Sequence, residues 1–261
     1  MELRHSALEA LRICDPAEKA QTVRELAGKA DPLRILDEPP NLPGRPARPE
    51  LRKATEVPHR SPFTPQGYAA LIHSICHIEF NAVNLALDAV WRFDNMPQAF
   101  YADWLQVAKE EARHFELLRE HLQSVGHDYG DFPAHDGLWI MCASTSKDVV
   151  ARMALVPRTL EARGLDASQL IQAKLRKVGT ADALKAIDIL EIILSDEIGH
   201  VAVGNRWYAW VCQRESIEPM SHYAVLLDRH GAPRQKAPFN LTARRAAGFL
   251  ERELEALTNT A

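Results

Sequence analysis

Two short stretches of this chain carry a carboxylate and an imidazole at a spacing that aims both at one ion. They are Glu110-Glu111-Ala112-Arg113-His114 and Asp196-Glu197-Ile198-Gly199-His200. Residues three apart share a helix face, so Glu111 with His114, and Glu197 with His200, can each grip a metal together. The spacing alone is weak evidence, because twenty glutamates and 11 histidines in 261 positions give about one Glu-x-x-His by accident. The chain holds four. Glu2/His5 lies at a fraying end and Glu56/His59 encloses Pro58, so neither sits on a stable helix face. The other two stand in the middle of long amphipathic runs.

Order adds more than the motifs do. Two further helices each offer one inward glutamate, Glu79 and Glu161. Glu79 precedes Glu111 by 32 residues and Glu161 precedes Glu197 by 36, so the chain reads as two helix pairs, each supplying Glu and then Glu-x-x-His. Four carboxylates and two histidines in that order are what a paired-metal site in a four-helix bundle requires. Were these ordinary surface residues, the hydrophobic stripes of the first two long helices would face solvent. His73 and His77 fall off the Glu79 face and read as core or surface histidines. His121, one heptad beyond His114, could flank the site at a bundle end, but the plainer reading places it outside the site. Trp104 and Trp207, seven residues from Glu111 and His200, read as plain core.

Four long helices must position these groups. The first starts at Thr64-Pro65, a capping residue followed by proline, and runs to about Phe93, with Ile72, Ile75, Cys76, Glu79, Ala82, Val83 and Ala86 on one face. An ionised carboxylate in that stripe needs a cation, a metal or a proton. The second runs from about Pro97 to Val125 and stops at Gly126, burying Trp104, Val107, Ala108, Glu111, His114, Phe115, Leu118 and Leu122. A link of about 19 residues to Ser144 could reach ~60 Å, enough to cross a bundle and set the next helix parallel to the second. The third helix opens at Thr145-Ser146-Lys147-Asp148 and is expected to close at Gly164. Pro157, four residues before Glu161, predicts a kink or bulge there. A short helix over Ser168–Val178 then ends at Gly179. Thr180 caps the fourth long helix, which carries Leu190, Ile193, Leu194, Glu197, His200 and Val201 on one side, with Gly204 leaving room one turn on.

Around this frame, residues 1–30 read as two short helices, the second capped by Asp15-Pro16-Ala17-Glu18. Nine prolines between Asp31 and Pro65 forbid regular structure and make an extended arm, which Leu33, Ile35, Leu36 and Leu42 could fasten to the bundle. Past Glu218 the pattern weakens, and a last helix capped near Asn240 runs to about Leu257. The domain division is 1–62 for the short helices and arm, 63–215 for the bundle and 216–261 for the C-terminal extension.

A hydrophobic fraction of 46% with 25% charged residues suits a water-soluble chain, and a net charge of −4 exerts no general pull on nucleic acid or anionic membrane. The four cysteines stand apart without Cys-x-x-Cys spacing, which argues against a zinc knuckle, a redox motif or a disulfide framework. The early Met1-Glu2-Leu3-Arg4 carries an acid and no long apolar stretch, and no run approaches the ~20 uninterrupted apolar residues of a membrane span. The expected setting is the cytoplasm, without membrane contact.

The phrases His77-Ile78-Glu79, Glu110-Glu111-Ala112-Arg113-His114-Phe115, Leu160-Glu161-Ala162-Arg163-Gly164-Leu165-Asp166 and Asp196-Glu197-Ile198-Gly199-His200-Val201 resemble the ferritin-like di-iron carboxylate superfamily. More closely, they resemble a largely uncharacterised bacterial family of ferritin-like proteins distantly akin to di-iron tRNA hydroxylases. The likeness covers about residues 60–255. It implies an all-α, ferritin-like four-helix bundle with a long crossover between the second and third helices and helical N- and C-terminal extensions. It also implies that Glu79, Glu111 and His114 serve one metal and Glu161, Glu197 and His200 the other, with Glu111 and Glu197 as bridges.

Beside the ligands, Glu110 and Asp196 could accept the second N–H of a metal-bound imidazole, as an acid at that place does in related enzymes, or pair with Arg113 or Arg158. Arg158 itself could meet an anionic substrate or a carboxylate. A carboxylate and imidazole donor set suits two iron ions, with manganese as the other choice, and a pair of reduced irons can give electrons to O2. The leading expectation is an oxidase or hydroxylase acting on a small organic substrate, fed by an external electron donor because no nicotinamide or flavin motif is present. Iron handling, as ferroxidase or storage, and metals that merely staple the bundle are the other readings. A homodimer is compatible with all of them. RNA enters only through the distant kinship, with Arg229, Arg234, Lys236, Arg244 and Arg245 as the one basic cluster able to meet phosphates.

Overall fold

Helices make up almost all the regular structure in a computed structural model of the chain, which describes residues 2–259. Met1, and the last two positions of the C-terminal extension, lie outside those residues. Among the described residues the fold is all-α save for a two-residue parallel pair, β1 (Leu51–Arg52) with β2 (Ala134–His135). Two compact units form, Met1–Trp139 with Val178–Ile189, and Ile140–Lys177 with Leu190–Ala261.

The first unit is built on α1 (Leu3–Arg12), α2 (Pro16–Glu25), α3 (Pro65–Arg92) and α4 (Gln98–Ser124). Its boundaries follow from capping chemistry. The Asp15 carboxylate accepts the Glu18 N–H at 2.8 Å with Pro16 opening α2, and Thr64 Oγ1 accepts the Gly67 N–H at 3.1 Å with Pro65 opening α3. Past the end of α4 stands Gly126 at φ +83°, a left-handed turn that only glycine takes without cost. The short connection after Arg92 folds α4 back on α3, so that Tyr68 meets His121, Cys76 meets Phe115 and Glu79 meets His114 in opposite chain senses. By length and composition α3 could cross a membrane, but 78% of its apolar window is buried inside the fold, as for a core helix.

The proline-rich arm is fastened differently from expectation. Leu33 and Ile35 are 77% and 85% exposed, so they do not anchor it. A proline-dense segment has few N–H groups, and its carbonyls need donors from elsewhere. Buried cations supply them. Lys19 Nζ donates to Gly44 O, Leu11 O and Asn84 Oδ1 at 3.0, 3.1 and 2.6 Å, while Arg4 reaches Asp31 O and Arg34 O at 3.0 and 2.6 Å. Burial lowers the Lys19 ammonium to about 7.

The second unit receives the chain through α5 (Gly137–Ser144), so the link after Gly126 is not extended throughout: it carries β2 and a helix. Then come α6 (Val149–Leu155), a π-helical segment (Val156–Glu161), α7 (Ala162–Val178), α8 (Ala181–Arg214), whose residues up to Ile189 count with the first unit, α9 (Pro219–Arg229), α10 (Leu241–Ala246) and α11 (Glu251–Asn259). The bulge expected at Pro157 is this π segment. The expected stop at Gly164 is not there. Leu165 enters an apolar cluster with Val201 and Ala243, and Asp166 pairs with Arg244 at 2.6 Å, so tertiary contacts carry the helix through to the true stop, Gly179 at φ +70°. The single last helix is two, α10 and α11, separated by Gly248 at φ +87°. Glu218-Pro219 starts α9, which the sequence reading left unassigned.

Within this unit Gly204 of α8 lies against Pro157, and a Cβ there would stand 2.5 Å from the Pro157 Cβ. Gly204→Ala is therefore expected to destabilise by about 1–3 kcal/mol through overpacking against a rigid ring, read as a lower melting temperature.

Candidate metal centre

Glu79 of α3 and Glu111 and His114 of α4 converge in the first unit. Glu111 and His114 are fully buried and Glu79 is 4% exposed. His114 Nδ1 lies 3.4 Å from Glu111 Oε2 and 3.5 Å from Glu79 Oε2. One ligand atom from each of the three lies within 4.8 Å of the others, close enough to hold a single ion. Burial, and next the Glu111 charge, raise the Glu79 carboxyl to about 7. Burial alone would lower the His114 imidazole, but the bond to Glu111 and the charges of Glu111 and Glu79 outweigh it and raise it to about 11. In the metal-free chain a proton on His114 thus stands where a cation would neutralise the two carboxylates.

In the second unit, His200 is 1% exposed and its Nδ1 lies 3.6 Å from Glu197 Oε1 on the same face of α8. Glu161, 9% exposed, ends the π segment. Pro157 meets Gly204, Arg158 NH1 bonds Asn205 Oδ1 at 2.7 Å, and Arg176 faces Glu191 at 3.8 Å. The donor chemistry fits a metal: Glu79 Oε2 and Glu197 Oε2 are buried acceptors without a hydrogen-bond donor, an expensive condition that a cation relieves. Two carboxylates and one imidazole are donors for a hard or borderline metal ion rather than a thiolate-seeking one.

The remaining sequence candidates fall as follows. His73 Nε2 accepts the Gly130 N–H at 2.9 Å, and burial lowers this imidazole to about 4. His77 bonds the Tyr129 hydroxyl at 2.9 Å, and burial lowers it to about 3. His121 Nε2 lies 2.5 Å from the Tyr68 hydroxyl, which itself donates to Asp182 O. All three are neutral core histidines, as their off-face or distal positions implied. Trp104 and Trp207 are buried. Glu110 Oε1 accepts from Gln106 at 2.7 Å, and Asp196 sits half-buried on α8. Arg158 meets Glu253 NH2-to-Oε1 at 2.5 Å. Arg244 is wholly buried against Asp166 and Arg245 pairs with Glu251 at 2.6 Å, so the basic residues of the tail do not form one open cluster. The sequence reading missed Asn205, Tyr223 and Glu253, which hold the π segment; Glu218-Pro219, the helix start before Tyr223, was the available signal.

No solved structure matches this chain. A protein of Haemophilus influenzae, bearing the description "Uncharacterized protein", is 43% identical over 262 residues, covering 94% of this chain and 90% of its own length. A family model described as "Protein of unknown function (DUF455)" matches residues 12–255. With a match of that extent and a relative of that identity, the chain belongs to the DUF455 family.

Proposed function

We propose that this chain is a ferritin-like, di-iron or iron–manganese carboxylate protein that activates O2 to oxidise or hydroxylate a small organic substrate. The observation that carries the reading is the buried Glu79–Glu111–His114 group, whose donor atoms lie within 4.8 Å of one another on two paired long helices. Its pattern recurs in the sequence as Glu161, Glu197 and His200. In this reading Glu79, Glu111 and His114 would hold one ion, and Glu161, Glu197 and His200 the other. Two such ions, when bound, supply electrons to O2.

The chain's own contribution is to fix and shield them. Glu111 and His114 are locked one turn apart on a helix whose neighbours Ala108, Phe115 and Leu118 are fully buried, which excludes bulk water from that face. To coordinate through Nδ1, the nitrogen that faces both carboxylates, His114 must give up the proton there. An external donor is needed to return electrons after each turnover.

The test is to load the purified chain with Fe(II) anaerobically, count the ions, and follow dissolved O2 with an electrode on mixing. Uptake of two irons per chain with rapid O2 consumption is expected. Two bound irons and no O2 consumption would overturn O2 activation and leave ions that only hold the helices together.

A further inference from the structure

We infer that the C-terminal extension is a clamp on the π segment, with Arg158 as a positioning residue that fixes where Glu161 presents its carboxylate. The inference rests on the proposed reading of Glu161 as a metal ligand.

Three residues of the segment ahead of Glu161, namely Pro157, Arg158 and Thr159, are tied down. Pro157 has no N–H, which frees a carbonyl one turn earlier and makes a regular α-helix impossible there. Thr159 Oγ1 donates to Ala154 O at 2.8 Å, spending its one proton, so the Tyr223 hydroxyl of α9 donates to Thr159 at 2.8 Å. Gly204 lets α8 close on the Pro157 ring.

Arg158 takes the largest share. Its guanidinium lies over the rings of Phe249, Tyr208 and Tyr223 at 4.8, 5.2 and 5.3 Å. It donates to Asn205 and to Glu253 of α11, with side-chain exposures of 8% for Arg158 and 12% for Glu253. Asn205 in turn donates to Ala247 O at 2.8 Å, just after α10. The extension therefore grips the segment through a buried ion pair and an aromatic cage.

The geometry makes that grip consequential. One extra residue in a helical turn rotates everything after it by about 100°. Whether the π turn is kept decides which face Glu161 occupies, and a ligand must be held within about 0.5 Å to bind well. Arg158 is too enclosed to serve as a substrate-binding cation, and its two terminal nitrogens are already committed to Asn205 and Glu253.

The test titrates the full chain with Mn(II), reading free ion by its magnetic resonance signal and the fold by thermal melting. Glu253→Gln, and the paired Arg158→Leu/Glu253→Leu in which no charge is left stranded, should each weaken one of the two ions by about 10–100-fold and leave the other unchanged. Arg245→Gln, which breaks an exposed pair in the same extension, should change neither. Two ions bound by the wild type and unaltered affinities in both variants would overturn the clamp. Equal weakening of both ions with a lower melting temperature marks general damage and overturns it too. A wild-type chain that binds no Mn(II) or Fe(II) overturns the metal reading itself, and is recognised by failing before any variant is made.

Discussion

Metal uptake at the Glu79–Glu111–His114 triad is expected to strengthen about tenfold for each unit of pH above neutrality, and more steeply below it. An imidazole must be neutral to coordinate, and the two carboxylates raise His114 to about 11, so across the physiological range one proton leaves for every ion bound. Burial, and then the Glu111 charge, raise Glu79 to about 7, so below neutrality a second proton must leave and the dependence approaches a hundredfold per unit. Stability without metal should move the other way. His114, raised above its unfolded value near 6.5, stabilises fully below that pH and loses the contribution as pH climbs toward 11. Glu79 is raised because burial penalises its charge, so its penalty grows as pH rises from about 4.5 through 7. The gap in melting temperature between metal-loaded and metal-free chain should accordingly widen from pH 6 to pH 8. Proton release measured calorimetrically in buffers of differing ionisation enthalpy gives the count directly. An affinity flat over that range would remove His114 from the ligand set.

The residues of the proposed site were legible in the sequence to different degrees. Glu111 and His114 lie three apart on a helix whose ends are written locally, by Thr64-Pro65 before its partner and Gly126 after it, so their side of the site could be assembled from spacing alone. Glu161 could be named as a partner, but not aimed. Its direction depends on a π turn that Pro157 announces, and on Tyr223, Asn205 and Glu253, which reach that turn from 47 to 95 residues away in the chain. Long-range contacts of this kind leave no periodic trace. The same holds for Gly164, whose capping signal is local while the contacts that override it, Leu165 in an apolar cluster and Asp166 on Arg244, are not. The arm shows the converse error. Leu33 and Ile35 look like anchors by hydrophobicity, yet a segment short of N–H groups is held through its carbonyls, by Arg4 and Lys19.

Replacing the whole first triad, as Glu79→Leu/Glu111→Leu/His114→Leu, should abolish its metal binding and at the same time raise the stability of the metal-free chain by about 1–4 kcal/mol. Taking charged groups out of water costs several kcal/mol each, and a buried ionic cluster recovers that only with near-ideal geometry. Here the contacts are long, 3.4 and 3.5 Å from His114 Nδ1, and Glu79 Oε2 lacks a hydrogen-bond donor. Three leucines of comparable volume would continue the apolar stripes formed by Ile72, Cys76 and Val83 on α3 and by Ala108, Phe115 and Leu118 on α4. The single change His114→Leu should do the opposite and destabilise by about 3–5 kcal/mol, because it strands two carboxylates in the core with no cation between them. The sign of the difference between triple and single replacement, read by chemical denaturation in chelator, is the discriminating quantity. A triad selected to hold the fold would make the triple replacement the worse of the two. A triad kept at a cost for an ion makes it the better, and only the second outcome explains why two acids and an imidazole occupy positions that the helices themselves would fill with leucine.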